Sequence, residues 1–366
     1  MRRVDGPDAT SRRGSRRHHL GSKTARMRRA AIFGTGLIGA SLGMALRRVG
    51  WTVAGWDPDQ TALEVATERS AVDDPCESQE DALEASELVV LAGPLTATLE
   101  TLPGLRTDAL VTDVAGVKGP VVEARPEGLR LVAGHPMAGR EQAGPAAASP
   151  SLFKGAAWVI CPDNAVADDI ETLESIVESV GAIPYRLPAA EHDRVVADIS
   201  HLPQILAVSL INLITRRDPT AERLIAGSFR DLTRVAASEP GWWPEVLAAN
   251  EANVSDSIEL LMSLLDEVRE EVAHGASGPL TTRIEEARSR RQAMAPPVVR
   301  VGVVLQDRPG EIAKVGRALE RSGVDVRDLQ LRHALHGGGG ILTLSVRPAE
   351  ADPLRAALRE ADFSLE

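Results

Sequence analysis

The sequence predicts an α/β chain in three folded parts, and three observations predict it. Short apolar runs alternate with helix-period segments from Ala30 to about Leu187. Strand-like runs then disappear from Ala189 to about Gln292. After Ala295-Pro296-Pro297, which reads as a linker, a short βαββαβ pattern begins. The expected limits are a basic tail at 1–27, an α/β domain at 28–188, a helical domain at 189–294 and a small sandwich at 298–366.

The tail carries eight Lys/Arg against two Asp over residues 1–26. It lacks the apolar stretch of a secretory signal and cannot bury a core, so disorder is expected. A basic binding arm and a true start at Met27 are the two readings, and Met27-Arg28-Arg29 leading into the first strand favours the second. The net charge of −11 over 366 residues argues against nucleic acid as the main partner. Two cysteines, Cys76 and Cys161, cannot make a disulfide framework or a cysteine-based metal site, and a reducing cytoplasm is the expected compartment. No apolar run is expected to reach the roughly 18 residues of a bilayer span, so no membrane partner is expected.

In the first part the strand-like runs are Ala30–Phe33, Thr52–Trp56, Leu88–Leu91, Leu110–Thr112, Leu131–Ala133, Trp158–Ile160 and Ile183–Leu187. Their alternation with helices implies a parallel sheet covered on both faces. Between the first strand and first helix lies Gly34-Thr35-Gly36-Leu37-Ile38-Gly39. The first glycine permits a tight turn, the second lets backbone approach a pyrophosphate, and the third lets the helix pack close to the sheet. Free N–H groups at the helix start then favour phosphate. Leu42, Ala45, Leu46 and Val49 follow at helical spacing, and Gly50 is placed to end the helix. Asp57 closes the second strand, 18 residues after Gly39, near the spacing of a carboxylate that takes an adenosine ribose. A Rossmann-type domain binding NAD rather than NADP is therefore expected, since a carboxylate there repels a 2′-phosphate.

Gly134-His135-Pro136-Met137-Ala138-Gly139 follows an apolar run, and ligands of open parallel sheets bind beyond strand carboxyl ends. His135 is the candidate general base, because histidine titrates near working pH. In the helical part, Val195, Ile199, Leu202, Leu206 and Leu210 form one apolar stripe, and Ile258, Leu261, Leu265 and Val268 another. Such faces usually need a partner, and a homodimer through this block is expected. Ser200-His201-Leu202-Pro203-Gln204 sets polar groups within a turn of the first stripe. Phe229-Arg230-Asp231-Leu232-Thr233-Arg234 places two arginines four apart on one helix face, suited to bidentate carboxylate binding. A solvated, salt-bridged face is the competing reading, weakened by the small and apolar neighbours.

Taken in order, the glycine motif, the His135 segment, Ser200–Pro203 and Phe229–Arg234 resemble the prephenate dehydrogenase family, including its arogenate-using relatives, over roughly residues 28–292. The last part resembles an ACT domain, through Asp307-Arg308-Pro309-Gly310-Glu311-Ile312-Ala313. The resemblance implies a nucleotide-binding domain followed by a helical dimerisation domain, and NAD-dependent oxidative decarboxylation of prephenate or arogenate in tyrosine biosynthesis. It implies that His135 is catalytic and that Arg234 binds a substrate carboxylate. Arg230, Ser200, His201, Gln204 and Glu141 are carried over as substrate-side positions. Gly116, in Asp113-Val114-Ala115-Gly116-Val117-Lys118, stands where the family usually has serine, and is carried over with that departure. Tyrosine binding near Asp307–Ile312, as feedback, is a further implication. Two other readings stay open. A different two-domain dehydrogenase relying on a helical-domain lysine is opposed by the absence of lysine between 189 and 292. A non-catalytic sensor of NAD and an amino acid is favoured by Gly116 and by the appended domain.

Overall fold

A computed structural model describes residues 28–140, 142–217, 219–275, 278–294, 298–333 and 339–366. The expectations for the 1–27 tail, Glu141, the Ala295–Pro297 linker and part of the Gly337–Gly340 turn lie outside the described residues. By compactness the chain divides into two units, residues 1–261 and 262–366, within the helix Glu251–Ala273.

In the first unit, β1 (Arg29–Phe33), β2 (Thr52–Trp56), β3 (Asp74–Pro75), β4 (Leu88–Leu91) and β5 (Leu110–Asp113) form a parallel sheet in the order β3-β2-β1-β4-β5. Alternate residues of one strand enter opposite cores. Ala30, Ile32, Leu88 and Val90 join one apolar cluster with Leu42, Ala45 and Leu46 of the helix Leu37–Arg48. Ala31, Phe33, Val89 and Leu91 join the other. Both faces are therefore covered, as parallel strands require.

The single parallel sheet is corrected in one respect. β6 (Ala133–Pro136), β7 (Ala157–Cys161) and β8 (Ile183–Arg186) form a separate three-stranded sheet, in which β6 runs antiparallel to β7. An isolated bridge, Val111 to Leu131, joins this layer to β5. The strand expected at Leu131–Ala133 also begins two residues later, so that His135 lies within it.

Beyond β8 the chain is helical. Ala189–Val196 passes through a π-helical turn at Ala197–His201 into Leu202–Arg217. Pro203 has no N–H to offer the carbonyl four residues back and its ring crowds that carbonyl, so the wider turn falls just before it. By length and composition the stretch Ala189–Arg217 could cross a membrane, where no span was expected. It also carries an exposed apolar face at Val208, Ile211 and Leu213.

The second unit holds the end of Glu251–Ala273, the helix Pro279–Met294 and a four-stranded antiparallel sheet. Arg283 clasps Glu267 and Glu271 at 2.8 and 3.0 Å across the two helices. The sheet contains β9 (Val299–Leu305), β10 (Asp328–His333), β11 (Gly340–Val346) and β12 (Ser364–Leu365), in the order β10-β11-β9-β12. Helices Glu311–Ser322 and Ala351–Glu360 cover one face, burying Val315, Leu354 and Leu358 against Val301, Val303 and Leu344. This is the expected βαββαβ sandwich. Its second strand starts at Asp328, not at Val324 as the apolar pattern suggested.

Candidate active site

The loop after β1 is built for close approach. Gly34 has φ +95°, and a Cβ there would meet the Ala92 carbonyl carbon at 2.6 Å. A Cβ on Gly39 would meet the Gly34 carbonyl oxygen at 1.9 Å, so the helix lies directly on the turn. A Cβ on Gly36 would meet nothing within 4 Å, and that open side is where a pyrophosphate needs to pass. Leu37 and Ile38 open the helix and remain partly exposed there. The loop thus fits a dinucleotide. Asp57 is buried and braces it. Its Oδ2 accepts the Thr35 N–H at 2.6 Å and the Thr35 hydroxyl at 3.0 Å, while Oδ1 accepts the Asp59 N–H at 2.9 Å.

His135 sits half-buried near the end of β6. Its Nδ1 lies 2.9 Å from His192 Nε2, and His192 Nδ1 lies 2.7 Å from Asp193 Oδ1. The hydrogen positions follow by deduction. The Asp193 carboxylate accepts, so His192 Nδ1 carries a proton, and in the neutral imidazole Nε2 is then a lone pair. His135 Nδ1–H must then donate to that lone pair, which leaves Nε2 of His135 as a base. A Cβ at Gly116 would stand 3.9 Å from both Nε2 and Cε1 of His135, so Nε2 borders the space that Gly116 leaves. Desolvation holds the His135 pKa well below 6.5, helped by the Lys118 ammonium and by His192 and His201. Burial pushes the Asp193 pKa up. Hydrogen bonds from His192 and from the Lys118 and Gly119 N–H groups outweigh it, and the net shift is downward.

Lys118 ties this chain of groups together. It is fully buried, with its ammonium on the Asp113 carboxylate and 2.8 Å from the Gly134 carbonyl. Asp113 Oδ1 accepts the Gly134 N–H at 3.1 Å. The Lys118 and Gly119 N–H groups each donate to Asp193 at 2.7 Å. One residue therefore anchors the strand before His135 and the carboxylate behind His192. Asn250 adds a brace, donating to the Asp193 carbonyl at 2.7 Å and lying 3.2 Å from His201 Nδ1.

The structure brings His135, Gly116 and His201 into one neighbourhood together with His192, Asp193, Lys118 and Asn250, which sequence reasoning had not named as site residues. The adjacent pair His192-Asp193 in a helix start was the available signal. Gln204 is buried on the helix after the π turn, and Ser200 is half-buried within that turn. Burial lowers the His201 pKa below its ordinary value. Arg230 and Arg234 are exposed, and they do not share one α-helix. That helix runs Gly227–Thr233, and Arg234 opens a 3-10 turn, Arg234–Ala237, packed against Leu202–Arg217.

Two stretches of the chain match known domains. Residues 42–185 match the prephenate dehydrogenase nucleotide-binding domain, and 188–286 match the prephenate dehydrogenase dimerization domain. The chain belongs to the prephenate dehydrogenase family. Among relatives of that family, the prephenate dehydrogenase of Bacillus subtilis is 28% identical over 86% of this chain and 91% of its own length. The structure of the Aquifex aeolicus prephenate dehydrogenase in complex with hydroxyphenyl propionate and NAD+ superposes with a TM-score of 0.70. It is 26% identical and covers 75% of this chain and all (100%) of its own. The Synechocystis arogenate dehydrogenase gives a TM-score of 0.63 at 27% identity, over 73% of this chain and all (100%) of its own.

Proposed function

We propose that this chain oxidatively decarboxylates prephenate or arogenate with NAD, using His135 as the general base. The observation that carries the assignment is the hydrogen-bonded chain Asp193–His192–His135, which leaves the Nε2 lone pair of His135 beside the Gly116 space. Bound at the Gly34–Gly39 loop, NAD supplies the acceptor for hydride from the substrate's carbinol carbon. Nε2 takes the hydroxyl proton as the carbinol becomes a carbonyl. Carbon dioxide then leaves, its electron pair flows into the ring, and the ring aromatises. The new phenolate oxygen recovers the proton from His135, so the base is regenerated. His192 and Asp193 hold the imidazole in the productive tautomer and stabilise its charged form, in the manner of a carboxylate behind a catalytic histidine. Arg234 is the carboxylate clamp, with Arg230, Ser200, His201, Gln204 and Glu141 on the substrate side. Asp57 fixes the cofactor loop and favours NAD.

The test is NADH absorbance with purified protein, NAD and each substrate in turn. His135→Asn is expected to lower kcat by about 10²–10⁴-fold with NAD binding intact. Arg234→Ala is expected to act mainly on KM, by about 0.2–1 kcal/mol, as for a solvent-exposed pair. NAD binding without turnover of either substrate would overturn the enzyme reading in favour of a sensor.

The second unit supports a regulatory reading. Leu305–Ala313, Leu331 and Gly339–Gly340 line a cavity of about 390 Å³, bordered by Asp307 and Arg308. The Asp307 and Glu311 carboxylates and the Arg308 guanidinium on this lining suit the charged groups of an amino acid, and tyrosine is the ligand proposed. Asp307→Ala is expected to relieve tyrosine inhibition without changing uninhibited turnover. Inhibition that persists unchanged would place the effector elsewhere.

A further inference from the structure

We propose that Asn250 is a positioning residue for the reaction: it locks His201 as its Nε2–H tautomer, an obligate hydrogen-bond donor to an oxygen of the substrate. The use of that donor rests on the substrate-side placement of His201 proposed above. The tautomer does not, because it follows from the protein alone.

Asn250 is 4% exposed and closes the helix Trp243–Ala249, where its backbone N–H donates to the Val246 carbonyl at 3.2 Å. The two ends of its amide are told apart by their neighbours. One end lies 2.7 Å from the Asp193 carbonyl oxygen, which can only accept, so that end is Nδ2 and donates. The other end is then Oδ1, and it accepts from Asn253 Nδ2 at 2.7 Å. Nδ2 carries two hydrogens. One goes to Asp193, and the second is left for His201 Nδ1, 3.2 Å away. A protonated Nδ1 would set N–H against N–H there. Nδ1 is therefore the lone pair, and in the neutral imidazole the proton sits on Nε2. His201 is 2% exposed, and burial outweighs the Asp193 carboxylate in holding its pKa below the ordinary value, with His192 adding to the downward shift. The ring is thus neutral at neutral pH.

The Nε2–H lacks an acceptor. Among the described residues no protein group takes it, and that nitrogen is not sealed inside the protein. Trp243 stands perpendicular to the imidazole, with ring centroids 6.2 Å apart, but its indole offers only an N–H, which is itself buried and unpaired. Donors are in surplus around His201, and an oxygen brought in by the substrate answers that surplus.

One residue governs both histidines. The Asp193 carboxylate puts a proton on Nδ1 of His192, and the Asp193 carbonyl, through Asn250, puts the proton of His201 on Nε2. The base at His135 and the donor at His201 therefore share an anchor, and His201 cannot serve as a second base at Nε2.

The tautomer is read by long-range proton–nitrogen NMR correlations near neutral pH, in full-length protein with isotopically labelled histidine. The His201 signals are assigned by their loss in His201→Gln. Native protein is expected to show a protonated Nε2 and a bare Nδ1. Asn250→Asp has the same shape but no amide hydrogens, and is expected to draw a proton onto Nδ1. Asn253→Ala leaves the Asp193 contact in place and is expected to keep the native pattern. A protonated Nδ1 in the native protein, or the native pattern in Asn250→Asp, would overturn the proposal. The donor is read by kinetics. His201→Leu is expected to lower kcat/KM about tenfold, and His201→Gln, which keeps an N–H, to recover most of the loss. Equal losses in the two variants would overturn the donor role. The tautomer is read without substrate, so its failure is separate from a failure of the enzyme reading, in which native protein turns over neither substrate.

Discussion

At the scale of single residues, the site is set by buried charge more than by exposed groups. Lys118 and Asp113 are both fully buried and neutralise each other. Removing one partner leaves an unpaired buried charge, at about 3–5 kcal/mol. Lys118→Met is therefore expected to lower unfolding stability by that order, and Lys118→Met/Asp113→Asn to recover most of it, both read by chemical denaturation. The same ammonium helps hold the His135 pKa down. In the native chain the acid limb of kcat/KM is expected below pH 6.5, and in Lys118→Met it should move up in pH. Stability carries the matching sign. Between about pH 6.5 and the lower folded pKa, the unfolded chain takes up a proton that the folded chain refuses, so stability falls as pH falls. A limb at or above 6.5 in the native chain would contradict the neutral, desolvated base.

At the scale of elements, the turn between β1 and its helix has no room for a side chain at Gly34 or Gly39. Gly39→Ala would drive a methyl into the Gly34 carbonyl, with contacts of 1.9 Å to its oxygen and 3.1 Å to its carbon. NAD affinity is expected to fall at least about tenfold, through displacement of the loop, as titrated by protein fluorescence. Gly36→Ala meets no protein atom, so any loss there would report on the ligand itself. Gly34, Gly36 and Gly39 were legible in the sequence because a turn, a close approach and a helix contact each demand glycine at fixed spacing. The π turn at Ala197–His201 was not legible. It depends on Pro203 and on the burial of His201 against Asn250, a contact across 49 residues. The Arg230–Arg234 spacing suggested one helix face. Thr233 ends that helix instead, and its hydroxyl bonds back to the Phe229 carbonyl at 2.7 Å.

At the scale of the whole molecule, the helical block leaves apolar side chains outside. Ile211 and Leu213 of one helix, and Leu260 and Leu264 of another, are each at least 40% exposed. The family's dimerization domain covers these residues, and a homodimer is the proposed use of their exposed apolar groups. Ile211→Glu is expected to shift the protein toward monomer in light scattering, with secondary structure retained. An unchanged mass would place the interface elsewhere.

The sequence by itself determined the α/β start, the glycine loop, the helical middle and the βαββαβ end. Each of these rests on local periodicity or on a backbone demand within a few residues. It also marked His135, because glycines and Pro136 surround it at the end of an apolar run. Only the tertiary structure decided which groups orient His135 for the proposed role of base. His192 and Asp193 lie 57 and 58 positions away, and Lys118 joins them to β6 through the Gly134 carbonyl. A tautomer depends on which nitrogen meets which oxygen in space, and no sequence spacing encodes that when the partners come from separate elements.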